Sequence, residues 1–192
     1  MRNNKWSVSA PAEVLGSLGS DNVFSDPLST SGTVDEDAAW PKVDAPIVVE
    51  RSIVVGGQSS APTLRIAPKT VVRFAGGTYL QVGAKSGGTL VAREVTFTSA
   101  NATPQPGDWS GIHLEKRATN VDLTGATVEY AGRGAGARAA LTVRANGGDL
   151  AGLQASGMTF RKNLVAAVST SDGTCSSFAG ATSDGAPLCK KD

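Results

Sequence analysis

The sequence predicts an all-β chain, a β-solenoid of about five coils with an N-terminal cap or leader. Three observations carry this. From Ala45 onward, short β-branched runs alternate apolar and other residues, the period-2 signature of half-buried strands, and Gly-rich breaks separate them. Gly numbers 23 of 192 residues, about 12% against a usual ~7%, and each would cost a helix interior up to about 1 kcal/mol, which argues against a helical bundle. Two strand types recur in the same order, at spacings that mark stacked repeats rather than a sandwich or barrel.

Residues 1–44 read as the polar leader or cap, rich in Ser, Asp, Asn and Gly. Val14, Leu15 and Leu18 would share one face of a helical turn there. Trp6 and Trp40 fit either sugar stacking or cover for the open end of a core. Residues 45–170 read as the solenoid. Its first strand type carries apolar pairs at Leu64/Ile66, Leu80/Val82, Ile112/Leu114, Leu141/Val143 and Ala166/Val168. Its second carries Val72/Phe74, Val95/Phe97, Val128/Tyr130 and Met158/Phe160. Corners are expected at Ala75–Gly77 and Asn146–Gly148, where glycine admits the required backbone angles. At ~4.8 Å per coil, five coils would make a stack roughly 24 Å long. Residues 171–192 read as a tail closed by a Cys175–Cys189 disulfide, with two free thiols as the alternative.

Composition excludes several functions. Lys and Arg number 18 against 17 Asp and Glu, so no basic face for nucleic acid is expected. No apolar run approaches the roughly 18 residues of a membrane span. His113 is the single histidine, so the Cys/His clustering of a zinc site is missing. Met1–Ala10 lacks the apolar core of a signal peptide, which leaves a leader already removed or a piece of something longer. A stapled loop points to an oxidising, extracytoplasmic location, extracellular or at the cell surface.

The segments TLRIAPKTVVRFAGG (63–77), TFTSANATPQPGDWSGIHLEKRATNVDLTGATVEYAG (96–132) and MTFRKNLVAAV (158–168) together resemble bacterial surface or secreted proteins with right-handed parallel β-helix repeats, of the pectin-lyase-like superfamily. The resemblance covers about residues 45–170 and departs at Ala92–Val95, where a longer turn is usual. It implies the right-handed parallel β-helix. It implies no activity, since this fold hosts unrelated functions. The superfamily's polysaccharide lyases and hydrolases use neighbouring carboxylates, Arg or Lys on adjacent coils, and paired carboxylates are the general requirement of glycoside hydrolysis.

Outward positions between the apolar pairs are Arg65, Gln81, His113, Thr142 and Ala167 on one row, and Arg73, Thr96, Glu129 and Thr159 on the other. Neither row sets two carboxylates together, although loops could supply Asp108, Glu115 or Asp122. His113, near neutrality in pKa, fits acid-base work or an ordinary surface position. In PQPGDWSG, Asp108 is expected to cap loop amides and Trp109 to cover the loop against the core. Ranks of Thr suited to ice are not expected, because charged residues interrupt Thr96, Thr142 and Thr159. GRGAGAR at 132–138 lacks the helix and Lys-Ser/Thr of a phosphate loop and reads as a bulge. Asn101–Thr103 fits a glycosylation sequon.

The expectation is a non-catalytic extracellular structural or adhesive module, with no catalytic residue, cofactor or metal. Its partner would be a neighbouring subunit or domain at a solenoid end, or an extracellular polysaccharide, because exposed solenoid ends must be capped or paired. The competing expectation is a carbohydrate-active enzyme or carbohydrate-binding module acting on acidic polysaccharide.

Overall fold

The computed structural model describes residues 6–18, 22–58, 60–133, 139–144, 150, 152–171, 175–185 and 187–191. The expected corner at Asn146–Gly148 and most of the 132–138 bulge lie outside the described residues. The N-terminal part supplies β1 (Val8–Pro11), β2 (Leu28–Val34) and β3 (Ala38–Trp40). The middle supplies β4 (Ile47–Val55), β5 (Thr63–Ile66), β6 (Val71–Phe74), β7 (Tyr79–Val82), β8 (Thr89–Val91), β9 (Thr96–Ser99) and β10 (Gly111–Leu114). The remainder supplies β11 (Thr127–Glu129), β12 (Ala139–Val143), β13 (Thr159–Arg161), β14 (Ala166–Thr170), β15 (Thr182–Ser183) and β16 (Cys189–Lys191). Two 3₁₀ turns, Leu15–Leu18 and Ser176–Phe178, are the only helical segments among the described residues.

Among the described residues every strand pairing is parallel, and strands far apart in sequence are neighbours in space. A first ladder runs β1, β2, β4, β6, β9, β11, β13, β15. A second runs from the far half of β4 through β7, β10, β12, β14 and β16. The long, bent β4 belongs to both, which joins them into one sheet curled through 305°. A separate sheet stacks β3, β5 and β8, and isolated bridges Val91↔Asp122 and Asp122↔Gln154 continue its line. This architecture is all-β and compatible with a solenoid.

The core is a set of in-register ranks facing inward. Ile47, Val72, Phe97, Val128 and Phe160 stack in the first ladder, and Ile53, Leu80, Ile112, Leu141 and Val168 in the second. All ten are buried, each packed on the same position one strand away. At about 25 cal/mol per Å2 of apolar surface, such repetition supplies the main stabilising term.

Several registers differ from the sequence reading. Leu64/Ile66 lies in the separate sheet beside Ala38/Trp40, and the pair preceding Leu80/Val82 is Ile53/Val55. The step of 16 residues between Leu64 and Leu80 is too short to return the chain to the same ladder, whereas 27 residues separate Ile53 from Leu80. Phe97 stands opposite Val72, with Val95 two positions earlier, and Leu141 stands opposite Val168 rather than Ala166. Tyr130 is not a core residue, since its backbone turns to φ 58° and leaves the strand.

Both expected end segments pair with the sheet. In residues 1–44, β1 and β2 stack on β4, Leu15 and Leu28 are buried, and Trp40 donates from Nε1 to the Ala12 carbonyl at 2.7 Å. In residues 171–192, β15 extends β13 and β16 extends β14. Cys175 and Cys189 form the expected disulfide, with Cα atoms 6.2 Å apart.

Candidate functional site

Two outward faces carry the polar chemistry, one on each long ladder. On the first, the register aligns Val71, Thr96, Thr127, Thr159 and Thr182 in a single rank. The sequence reading missed this rank because it grouped Thr142 with Thr96 and Thr159, while Thr142 sits on the other ladder, opposite His113. Alongside run Arg73 and Thr98, paired in register, then Glu129 and Arg161, whose side chains meet at 2.6 Å. An open groove of about 590 Å3 lies here, lined by Arg73, Thr96, Thr98, Glu129 and Tyr130 and walled by the 100–104 loop. Lys162 Nζ lies 5.4 Å from the Tyr130 ring centroid and donates to its hydroxyl at 3.1 Å. That bond to Tyr130 holds the Lys162 ammonium above its ordinary pKa.

The wall of the groove follows from the PQPGDW segment. Gly107, at φ +84°, makes the turn. Asp108 Oδ2 then accepts from Ser99 Oγ at 2.6 Å and from the Gln105 amide at 3.0 Å, so Asp108 caps the loop as expected. Burial raises the Asp108 pKa, but the bonds from Ser99, Gln105 and Asn101 and the charge of Arg133 outweigh it and hold it below the usual value. Trp109 is fully buried, stacks on Phe74 at 4.1 Å between centroids, and donates from Nε1 to the Glu129 carbonyl at 2.7 Å. It covers the core, and its ring is not available to a sugar.

On the second ladder the outward rank is Gln81, His113, Thr142 and Ser169. His113 is not a surface residue: it is buried, with the Tyr79 ring edge-on at 5.7 Å. Burial lowers its pKa, the Arg144 charge lowers it further, and Glu115 opposes both. Among the described residues, His113 Nε2 and Thr142 Oγ1 are buried without a hydrogen-bond partner. Beside them Glu115 Oε1 accepts from Gln81 Nε2 at 3.0 Å and from Arg144 Nη1 at 2.5 Å.

The loop acids named from sequence are thus kept apart. Asp108 serves its own loop, Glu115 binds Gln81 and Arg144, and Asp122 accepts from Arg93 Nε at 2.5 Å and from the Thr124 amide at 3.1 Å. Burial raises the Asp122 pKa, yet its bonds to Thr124 and Arg93 bring it below the usual carboxylate value. Among the described residues no three His, Cys, Asp or Glu side chains converge as metal ligands. No helix there is long and apolar enough to cross a membrane. No family model matches the chain, and neither a curated protein nor a solved structure matches it. The pectin-lyase-like resemblance therefore rests on the segments quoted above.

Proposed function

We propose that the stacked ladders form a right-handed parallel β-helix of about five coils, and that the chain is a non-catalytic extracellular module, structural or adhesive, displayed at a cell surface or built into an assembly. The observation that supports this is where several charged side chains go: they tie a strand or turn to its neighbour in the stack. Glu115 holds Gln81 and Arg144 from the two flanking strands, Glu129 holds Arg161, and Asp122 holds Arg93. Asp35 accepts from the Gly57 and Gln58 amides, Asp37 from Thr63, and Asp184 from Lys162. Asn163 spans to the Ala131 amide and the Val128 carbonyl. In a solenoid, stability is a sum of repeats and nearest-neighbour interfaces, so cross-repeat bonds of this kind stiffen the stack.

The test is to incubate the chain with a panel of neutral and acidic polysaccharides and to record retention and new chain ends separately. No new ends are expected, and steady release of ends in proportion to protein concentration would overturn the module reading. A second reading, glycan binding, is favoured by the groove bearing Arg73, Tyr130 and the threonine rank. Retention lost on Arg73→Ala, without cleavage, would make the module an adhesin working through that face.

A further inference from the structure

We infer that the outer face of the sheet formed by β3, β5 and β8 is a docking surface for an acidic segment of a partner protein, one that sets a carboxylate beside an aliphatic side chain. The inference rests on the non-catalytic module reading and names the partner of that module. On this face Ala39, Arg65 and Val91 stand in register across the three strands, each beside a buried inward neighbour. The placement of Leu64/Ile66 in this sheet carries Arg65 with it, away from the row of Gln81 and His113.

An open hollow of about 580 Å3 lies over this rank. That size falls within the roughly 300–1,000 Å3 of ordinary ligand pockets. The lining is mostly apolar, with Ala39 and Val91 from the rank, and Pro41 and Pro68 from the turns that follow β3 and β5. Proline brings ring surface and no N–H. Trp40 borders the hollow, but its Nε1 is committed to the Ala12 carbonyl, so the side-chain donors left are those of Arg65 and Lys42. A sugar would find few groups there for its hydroxyls, and each one buried unpaired would cost affinity. An aliphatic side chain needs no such partners.

Charge fixes the sign of the partner. Arg65 is exposed and, among the described residues, pairs with no carboxylate. Lys42 Nζ donates to the Val43 carbonyl at 2.8 Å, a bond that does not neutralise its charge. Among the described residues no Asp or Glu lines this hollow, whereas the hollows at Glu129, at Asp44 and at Glu115 each set a carboxylate among their cations. A guanidinium with no acid of its own can take one from a partner through two parallel N–H···O bonds. An aliphatic side chain beside that acid would then cover Val91 and Pro68 and remove them from water. Opposed charges across the contact steer the encounter and reject basic segments.

Fluorescence anisotropy on the whole chain tests this with four labelled octapeptides, which alternate Asp with Leu, Lys with Leu, Ser with Leu, and Asp with Ser. The Asp/Leu peptide should bind saturably, about tenfold or more tighter than the other three, and weaken as salt rises. Arg65→Glu, at an exposed side chain with no ion pair to lose, should weaken the Asp/Leu peptide by about tenfold or more and turn the preference to the Lys/Leu peptide. Lys42→Glu should act in the same direction and covers the case in which Arg65→Glu fails to fold. Arg73→Ala, on the first ladder, should leave Asp/Leu binding unchanged. Equal binding of all four peptides, no saturable binding of the Asp/Leu peptide, or folded charge-reversal variants that bind like the parent would each overturn the inference. So would a light-scattering mass that climbs with protein concentration and falls back in Arg65→Glu, since a second copy would then fill the hollow. Steady release of glycan chain ends with Asp/Leu binding intact would sink the module reading alone; absent peptide binding without such release would sink this inference alone.

Discussion

The two long ladders are built from strands of the same direction, yet over their central strands the outer sides differ in exposure. On the first, β9, β11 and β13 alternate buried inward residues with half-exposed Thr96, Thr127 and Thr159. On the second, every residue of β10, β12 and β14 is buried, outward ones included. Their sequences differ in a way that accounts for this. The outward positions hold Gly111, His113, Ala140, Thr142, Ala167 and Ser169, five of them small, so the face admits close cover. A parallel sheet is ordinarily buried on both sides, and small outward residues mark where that rule applies within a curled one.

The largest expected effect comes from placing the same charge on both faces. Thr142→Lys should destabilise the fold by about 3–5 kcal/mol, because it buries an ammonium with no partner. Thr127→Lys, at the matching outward position of the exposed ladder, should stay within about 0.5 kcal/mol. Urea denaturation of both variants measures this, and equal losses would erase the distinction between the faces.

Next is the staple on the covered ladder. Cys175→Ser frees a loop of separation 14 that ties the chain to β16, the last strand of that ladder. The loss expected from chain entropy is about 3 kcal/mol. Melting with and without reductant should show the same drop in the parent and none in the variant.

A smaller effect should come from Gly111→Ala. Gly111 sits at φ +109°, and a Cβ there would lie 2.4 Å from the Ala140 carbonyl oxygen of the neighbouring strand. Backbone must move to admit the methyl, at a cost of about 1–3 kcal/mol. An unchanged melting midpoint would mean that the covered ladder is looser than its packing indicates.

Much of this was legible in sequence, and the missing parts have physical causes. The alternation of residues such as Leu80/Val82 and Ile112/Leu114 gave the strands, because inward ranks require apolar side chains at period 2. Asp108 and Trp109 were legible from local turn chemistry. The register of Val95, Phe97 and Tyr130 was not, since an alternating strand looks the same after a slip of two residues and only stacking fixes it. The separate sheet was hidden because Leu64/Ile66 has the same pattern as strands of the second ladder, and only its short step to Leu80 set it apart. The burial of His113 was hidden because cover for an outward face comes from outside the strand, where a lone sequence gives just the small residues as a sign.

His113 offers the finest test of the contrast between faces, through pH. In the fold, burial and the Arg144 charge hold its pKa below the ordinary 6.5, with Glu115 opposing and the Tyr79 ring packed against it. The unfolded chain has no such burial and takes up its proton near the ordinary value. Below that value the unfolded state binds a proton that the native state refuses. Stability is therefore full above about pH 6.5 and declines as pH falls toward the depressed native pKa, with a slope of at most about 1.4 kcal/mol per pH unit. Asp108 and Asp122 act in a separate window, since their lowered values withdraw stability only as pH falls below the ordinary carboxylate value of 3.8. Urea midpoints taken between pH 7.5 and 5 should fall for the parent and stay level for His113→Gln. A His113 that titrates at or above its ordinary pKa by NMR would show that the second ladder's outer side is open to water after all.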